Sequence, residues 1–440
     1  MSTPLDLVII GAGAAGLAAA HDLARVDKSA LVLDARERIG GRIWSHHEPR
    51  LPVPVELGAE FIHGASRATF ELLHKAGTAA LDAGGEHWSL RDGKLLPSKD
   101  LFRQIRVAMQ RTQALVKKDL SLDVFLERHL ARETTAEACA YARMLAQGFD
   151  AADTSRISAR SVVEEWSGGS SVEAPQFRPL GGYGPLLTKL AAELQGSRVH
   201  LQLNTVVREV RWGRGTVGVR GTFLDRPFEV KAKRAIVTLP LGVLQAGARE
   251  AGHVRFAPAL AAKRDALRHL APGPVIKVLL KFRSAFWEGR DNGRYRDVSF
   301  FHPREQAFPT FWTSLPIRTP LIAAWAAGPK AERFARAGTP QMVEAALDSL
   351  AALFGRRDEI EGALESAWVH DWQRDPYARG AYSYVTVGGD KAREGLAKPL
   401  GSTLFFAGEA ADTQGEAGTV AGALQSGRRA AREVLTSSRR

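Results

Sequence analysis

The sequence predicts an α/β protein in which a Rossmann-like sheet domain is joined to an α+β domain with a mixed sheet and a helical cap. Three observations predict it. An apolar run, Leu5-Asp6-Leu7-Val8-Ile9-Ile10, feeds Gly11-Ala12-Gly13-Ala14-Ala15-Gly16, and a second apolar run over 30–33 ends in Asp34. Later runs at 235–241 and 403–409 are nearly all apolar, as in strands buried on both faces of a parallel sheet. Between the opening runs and these later ones, from Ser66 to about Arg160, apolar residues recur at spacings of three and four, which reads as a helical insertion. At 440 residues the chain exceeds the ceiling for a single core, so two domains are expected.

The opening unit is strand, turn, helix, strand. Gly11 permits the sharp bend, Gly13 lets the backbone approach a pyrophosphate, and Gly16 lets the helix over 14–25 pack on the sheet. That helix begins at Ala14 and aims unpaired amides and a dipole at the phosphates. Asp34 stands where a ribose hydroxyl would be received. The pattern is that of a dinucleotide site. It continues into Ala35-Arg36-Glu37-Arg38-Ile39-Gly40-Gly41-Arg42, where paired glycines allow a second close approach and Arg36 and Arg42 can face phosphate.

A short strand, Val55 to Gly64, precedes the helical insertion, whose clearest stretches are 71–73, 101–117 and 121–132. A helix over 185–194 follows the loop Pro179 to Gly184. Strand signals at 199–203, 206–210, 216–219 and 228–230 then suggest a small antiparallel element. Strands at 275–282 and 321–326 and a helix over 340–354 belong to the second domain, and a final helix over 418–435 follows the 403–409 run. These assignments place the dinucleotide domain at 1–75, 195–260 and 395–440, and the substrate domain at 76–194 and 261–394.

Composition narrows the classes. No stretch approaches the ~18 apolar residues of a membrane span. The first strand begins by Leu5, leaving no room for a secretory signal, so a cytoplasmic location is the default expectation. One cysteine, Cys139, allows no intramolecular disulfide and no thiolate metal cluster, and no metal is expected. The net charge of +12 is spread along the chain rather than gathered in a stripe, so nucleic acid is not an expected partner. The oligomeric state stays open, a homodimer included.

Taken together, Gly11-x-Gly-x-x-Gly16, Asp34 through Arg42, Gly58-Ala-Glu-Phe-Ile-His-Gly64, Leu239-Pro-Leu-Gly, and Phe406-Ala-Gly-Glu409 with Gly418-Thr-Val-Ala-Gly-Ala423 resemble the flavin-containing amine oxidase family. The resemblance runs over nearly the whole chain. It implies a glutathione-reductase-type FAD domain and noncovalent FAD, since Ala381 stands where monoamine oxidases carry the cysteine that bonds to flavin. It implies FAD contacts at Gly11, Gly13, Ala14, Gly16, Asp34, Ala35, Arg36, Gly41, Arg42, Gly58, Ala59, Glu60, Val207, Trp372, Gly408, Glu409, Thr419 and Val420. The amides at 418–420 would lie near the flavin's pyrimidine edge.

On residue type alone, Lys277 and Lys281 read as strand lysines facing solvent. The resemblance instead makes Lys277 catalytic, holding a water near flavin N5 and assisting oxidation of the reduced flavin by oxygen. It implies hydride transfer from the amine α carbon to N5, imine hydrolysis to an aldehyde, and hydrogen peroxide as co-product, with a small-molecule amine and O2 as partners. Substrate contacts are expected at Phe61, His63, Tyr382 and Thr419. Phe61 stands where amino-acid oxidases carry an arginine for the substrate carboxylate, which argues against that subfamily. The chain leaves no room for the coiled-coil insertion of the lysine demethylases, so a histone substrate is not expected. Desaturases and porphyrinogen oxidases share the glycine motifs, and an FAD-stabilised scaffold without activity is the alternative outside the enzymes.

Overall fold

The computed structural model describes residues 5–98, 101–112, 118–167 and 174–437. Part of the predicted helix, 113–117, and the terminal residues 438–440 lie outside them. One sheet has eight strands. Its order runs Val199–Gln202, Ala30–Leu33, Leu5–Ile10, Arg226–Val237, Thr216–Phe223, Thr205–Gly213 and Arg255–Ala257, with Leu404–Phe406 also paired to Arg226–Val237. All these strands fall within 1–75, 195–260 and 395–440.

The first strand lies in the middle because its alternate residues are apolar on both sides. Leu7 and Ile9 enter a core shared with the first helix, Ala14–Ala24, and the C-terminal helix, Val420–Ser437. Val8 and Ile10 enter the opposite core with Val210, Val217 and Val237. The runs read separately at 228–230 and 235–241 are largely one strand, Arg226–Val237, so the antiparallel element is part of this sheet. Its charged first half pairs antiparallel with Thr216–Phe223 and is largely open to water. Its apolar end, Ala235 to Val237, pairs parallel on both sides and is buried.

The second sheet has seven strands, in the order Leu364–Asp371, Val275–Phe282, Leu321–Ala327, Thr310–Thr313, Val298–His302, Glu86–Arg91 and Lys94–Pro97. It is mixed, since Val298–His302 runs parallel to Glu86–Arg91 while the other pairs are antiparallel. Here the expectation of a helical insertion from 66 to about 160 fails in part: Ala80–Asp82, Glu86–Arg91 and Lys94–Pro97 are strands. The reason is a turn signal that the helical spacing masked. Asp92-Gly93 takes φ of 49° and 71°, the pair of positive angles that closes a two-residue hairpin. The insertion is helical from Phe102–Thr112 through Leu122–Arg128, Ala136–Gly148 and Ala159–Ser167, around a core that includes Phe125, Met109 and Trp166. Among the described residues, no helix is long and apolar enough to cross a membrane.

Candidate functional site

One elongated cavity, about 1390 Å³ including its mouth, runs from the Gly11–Gly13 turn to the second sheet. At its first end the helix Ala14–Ala24 starts at Gly13 with no side-chain cap, so its leading amides are left for a ligand. Gly11 bends the chain at φ +110°, and a Cβ on Gly16 would lie 1.8 Å from Gly11 O, so the helix approaches the turn only because Gly16 has none. Gly16 therefore acts by packing and does not line the cavity. Asp34 does line it, accepting from Ala12 N at 2.8 Å and Arg36 N at 2.9 Å. Burial pushes its carboxyl above the usual range, against the pull of those amides.

The middle is held by arginines, each clamped to a distant carboxylate. Arg36 Nη2 donates to Asp375 Oδ1 at 2.6 Å and lies over the Tyr377 ring, and Asp375 Oδ2 sits 3.0 Å from His370 Nε2. Arg42 donates to Glu409 Oε1 at 2.9 Å and to the Ala381 carbonyl. Glu409 Oε2 accepts from Ser383 Oγ at 2.7 Å, and Arg393 donates to the same hydroxyl at 2.8 Å. Burial raises the Glu409 carboxyl, but Arg42 and Arg393 outweigh it and hold the group below the usual range. Ala35, Gly41, Gly58, Ala59, Val207 and Gly408 also line this stretch.

At the far end stand Lys277, Trp325, Trp372, Tyr382, Thr419 and Val420. Trp372 is buried, its Nε1 donating to Leu57 O at 3.0 Å. A Cβ on Gly58 would meet Trp372 Cζ2 at 3.2 Å and Arg42 O at 1.9 Å, so the segment carrying Gly58 lies tight against both. Tyr382 donates to Phe149 O at 2.6 Å and Trp325 Nε1 to Gly148 O at 2.8 Å, which pins both rings to the end of helix Ala136–Gly148. Thr419 caps the C-terminal helix, its Oγ1 accepting from Gly422 N at 3.1 Å.

Lys277 is 1% exposed, so the reading of a solvent-facing strand lysine does not hold. Lys281 is buried too, paired to Glu365. Register explains the placement of Lys277: in the strand Val275–Phe282 it sits opposite Trp325 on one side and His370 on the other. Its Nζ donates to Glu60 Oε2 at 2.6 Å and Gly58 O at 3.4 Å. Glu60, expected at the cofactor, is therefore not on the cavity wall. Its side chain is turned into an ion cluster with Lys277, Arg178 and Trp312. Burial raises the Glu60 carboxyl, but the charges of Lys277 and Arg178 bring it down to about 2.

Phe61 and His63 also lie off the main cavity. Phe61 packs edge-on to Trp312 under the Arg178 guanidinium. His63 stands 5.2 Å from the Phe149 ring, and among the described residues its Nδ1 has no partner. Burial lowers its pKa to about 4, so the ring is neutral near pH 7. The structure thus brings Lys277, Trp372, Tyr382 and Thr419 together and sets Phe61 and His63 behind them. Sequence reasoning missed Trp325, Arg178, Asp375 and Arg393 as site residues. Trp325 had a signal, as the lone aromatic in Leu321–Ala327. Arg178 and Arg393 had none.

The cavity fits an extended dinucleotide with a flat ring system. An uncapped helix start and a carboxylate mark one end, and glycine-lined backbone and tryptophan mark the other. The sequence model of the family described as flavin containing amine oxidoreductase matches residues 14–435. The chain is 27% identical to polyamine oxidase 5 of Oryza sativa, over 97% of this chain and 87% of that protein. It is 25% identical to human lysine-specific histone demethylase 2 over 98% of this chain, spanning 53% of that protein's length. Putrescine oxidase bound to putrescine superposes with a TM-score of 0.81 at 22% identity, covering 99% of both chains. Cyclohexylamine oxidase from Brevibacterium oxydans IH-35A does so at 0.80 and 20%, covering 100% of both.

Proposed function

The chain belongs to the flavin-containing amine oxidoreductase family, with FAD as its cofactor, and on that premise we propose that it oxidises a small primary or secondary amine, with dioxygen as acceptor. One observation carries the reading: a buried ammonium, Lys277, stands on the wall of a cavity otherwise walled there by Trp325, Trp372 and Tyr382. When bound, FAD supplies a two-electron acceptor for a hydride from the amine α carbon and passes both electrons to oxygen, giving hydrogen peroxide.

The residues divide the remaining work. The start of the first helix would hold the pyrophosphate and Asp34 the ribose, with Arg36, Arg42, Val207 and Glu409 along the middle. Ala381 offers only a methyl group, so the flavin is held without a covalent bond. Trp325 and Tyr382 present aromatic faces to the amine and keep water from it. Lys277 places its charge where oxygen becomes negative.

The test is an anaerobic panel of putrescine, spermidine, cyclohexylamine, phenylethylamine and amino acids, followed by flavin bleaching, then admission of air with peroxide assayed. Bleaching by an amine and stoichiometric peroxide support the reading. A yellow protein that none of the panel bleaches overturns it, and bleaching by an amino acid alone overturns the inference from Phe61.

A further inference from the structure

Glu60 is the most heavily bonded carboxylate near the cavity, yet it does not line it. Its Oε2 takes Lys277 Nζ at 2.6 Å, its Oε1 takes Arg178 Nε at 2.8 Å, and Trp312 Nε1 lies 3.1 Å from both oxygens. Arg178 is itself fixed, donating to Leu315 O at 2.7 Å and Thr313 O at 2.9 Å. The anchor is therefore rigid on three sides. An ammonium has three N–H groups, and Lys277 directs two of them to Glu60 and Gly58 O, which leaves one for the cavity it lines. Two cations, Lys277 and Arg178, share the Glu60 carboxylate, and of these three groups Lys277 is the one that lines the cavity.

A lysine side chain has four rotatable bonds and loses its position readily, whereas a charge that stabilises a developing anion must be fixed before the anion forms. We propose that Glu60 is a positioning residue for Lys277, holding the ammonium on the cavity wall so that it acts on oxygen reduction. The proposal rests on the reading that Lys277 assists that step. In it, dioxygen takes two electrons and two protons and leaves as hydrogen peroxide, and the ammonium stabilises the negative charge that arrives with the electrons. Glu60 touches neither oxygen nor the amine and works only through the lysine.

A second cavity, about 590 Å³ including its mouth, gives the idea a chemical handle. It is lined by Glu60, Arg178, Trp312 and Glu56, and is large enough for a formate ion beside a truncated Glu60. The experiment uses holoenzyme reduced with dithionite and mixed with air-saturated buffer, so it needs no knowledge of the amine. Lys277→Met and Glu60→Gln should each slow reoxidation at least ~10-fold, and the double variant should be no slower than Lys277→Met, since residues acting as a unit are not additive. Added formate should restore part of the rate in Glu60→Ala and none in Glu60→Ala with Lys277→Met. A readout free of the cofactor accompanies these: in melts of the FAD-free protein, the double variant should recover part of the loss seen in each single one.

Slow Lys277→Met beside a Glu60→Gln within about twofold of wild type overturns the role of Glu60 alone. If both variants reoxidise normally, the reading of Lys277 falls instead. A double variant slower than Lys277→Met, or melts that add without coupling, shows that Glu60 does not act through the lysine. Should Glu60→Gln fail to fold, Glu60→Ala with and without formate decides the matter, and absence of rescue overturns the proposal.

Discussion

The two ends of the long cavity are built in opposite ways. At the dinucleotide end, Gly11, Gly13, Ala14 and Asp34 come from one run of chain, and the working groups are backbone amides and one carboxylate. At the reaction end, Lys277, Glu60, Arg178 and Trp312 meet although Glu60 is separated from the others by 217, 118 and 252 residues. The first end depends on what is absent, a Cβ at a glycine. The second depends on charge balance among buried side chains. A lesion at the first should therefore cost the cofactor, and a lesion at the second should cost the chemistry while the protein stays yellow.

The largest effect should come from Gly16→Val. The new Cβ would meet Gly11 O, a backbone atom that cannot swing away, and a loss above ~4 kcal/mol is expected. Soluble yield and flavin absorbance check it; a yellow, stable variant would break the contrast. Lys277→Met should leave flavin content near wild type while costing about 3 kcal/mol, because Glu60 keeps only Arg178 as its charged partner. Thermal melting beside flavin content reads both.

Protonation sharpens the comparison further. Burial raises the Glu56 carboxyl to about 7, whereas Glu60 is held at about 2. For Glu56 the folded value lies above the unfolded one, so its stabilising contribution is full below about pH 4.5 and is lost as pH rises towards 7. For Glu60 the sign reverses: stability present above pH 4.5 is lost as pH falls towards 2. Glu56→Gln should thus be more stable than wild type at pH 8 by on the order of 3 kcal/mol, read from denaturant melts, with the advantage gone at pH 4.5. An unchanged difference between the two pH values would show that burial does not govern this carboxyl. Tyr382→Phe should do least. It removes one hydrogen bond to Phe149 O, worth about 1 kcal/mol, and should raise KM for the best amine of the panel about fivefold.

Legibility followed the same divide. The strand, turn and helix from Leu5 to Ala24 were readable because each residue's role depends on neighbours a few positions away. The motif residues from Arg36 to Val420 were readable as a resemblance, and all but Gly16 and Glu60 of the expected cofactor residues line the cavity. The hairpin at 86–97 was masked by helical spacing around it, although its Asp-Gly turn was in plain view. Arg36 and Arg42 could be expected to face phosphate, but their partners Asp375 and Glu409 lie 339 and 367 residues away, beyond any local pattern.

Residues 5–34 and the glycine motifs that follow were enough to specify a dinucleotide cleft, since turn geometry, helix polarity and close packing are set by residue type over short range. The standing of Lys277 was beyond their reach. Residue type alone made it a solvent-facing strand lysine, and only the family resemblance pointed the other way. Pairing with Trp325 and His370 put it inside, and the folding of residue 60 against it, rather than onto the cavity wall, supplied the counter-charge that lets it stay there.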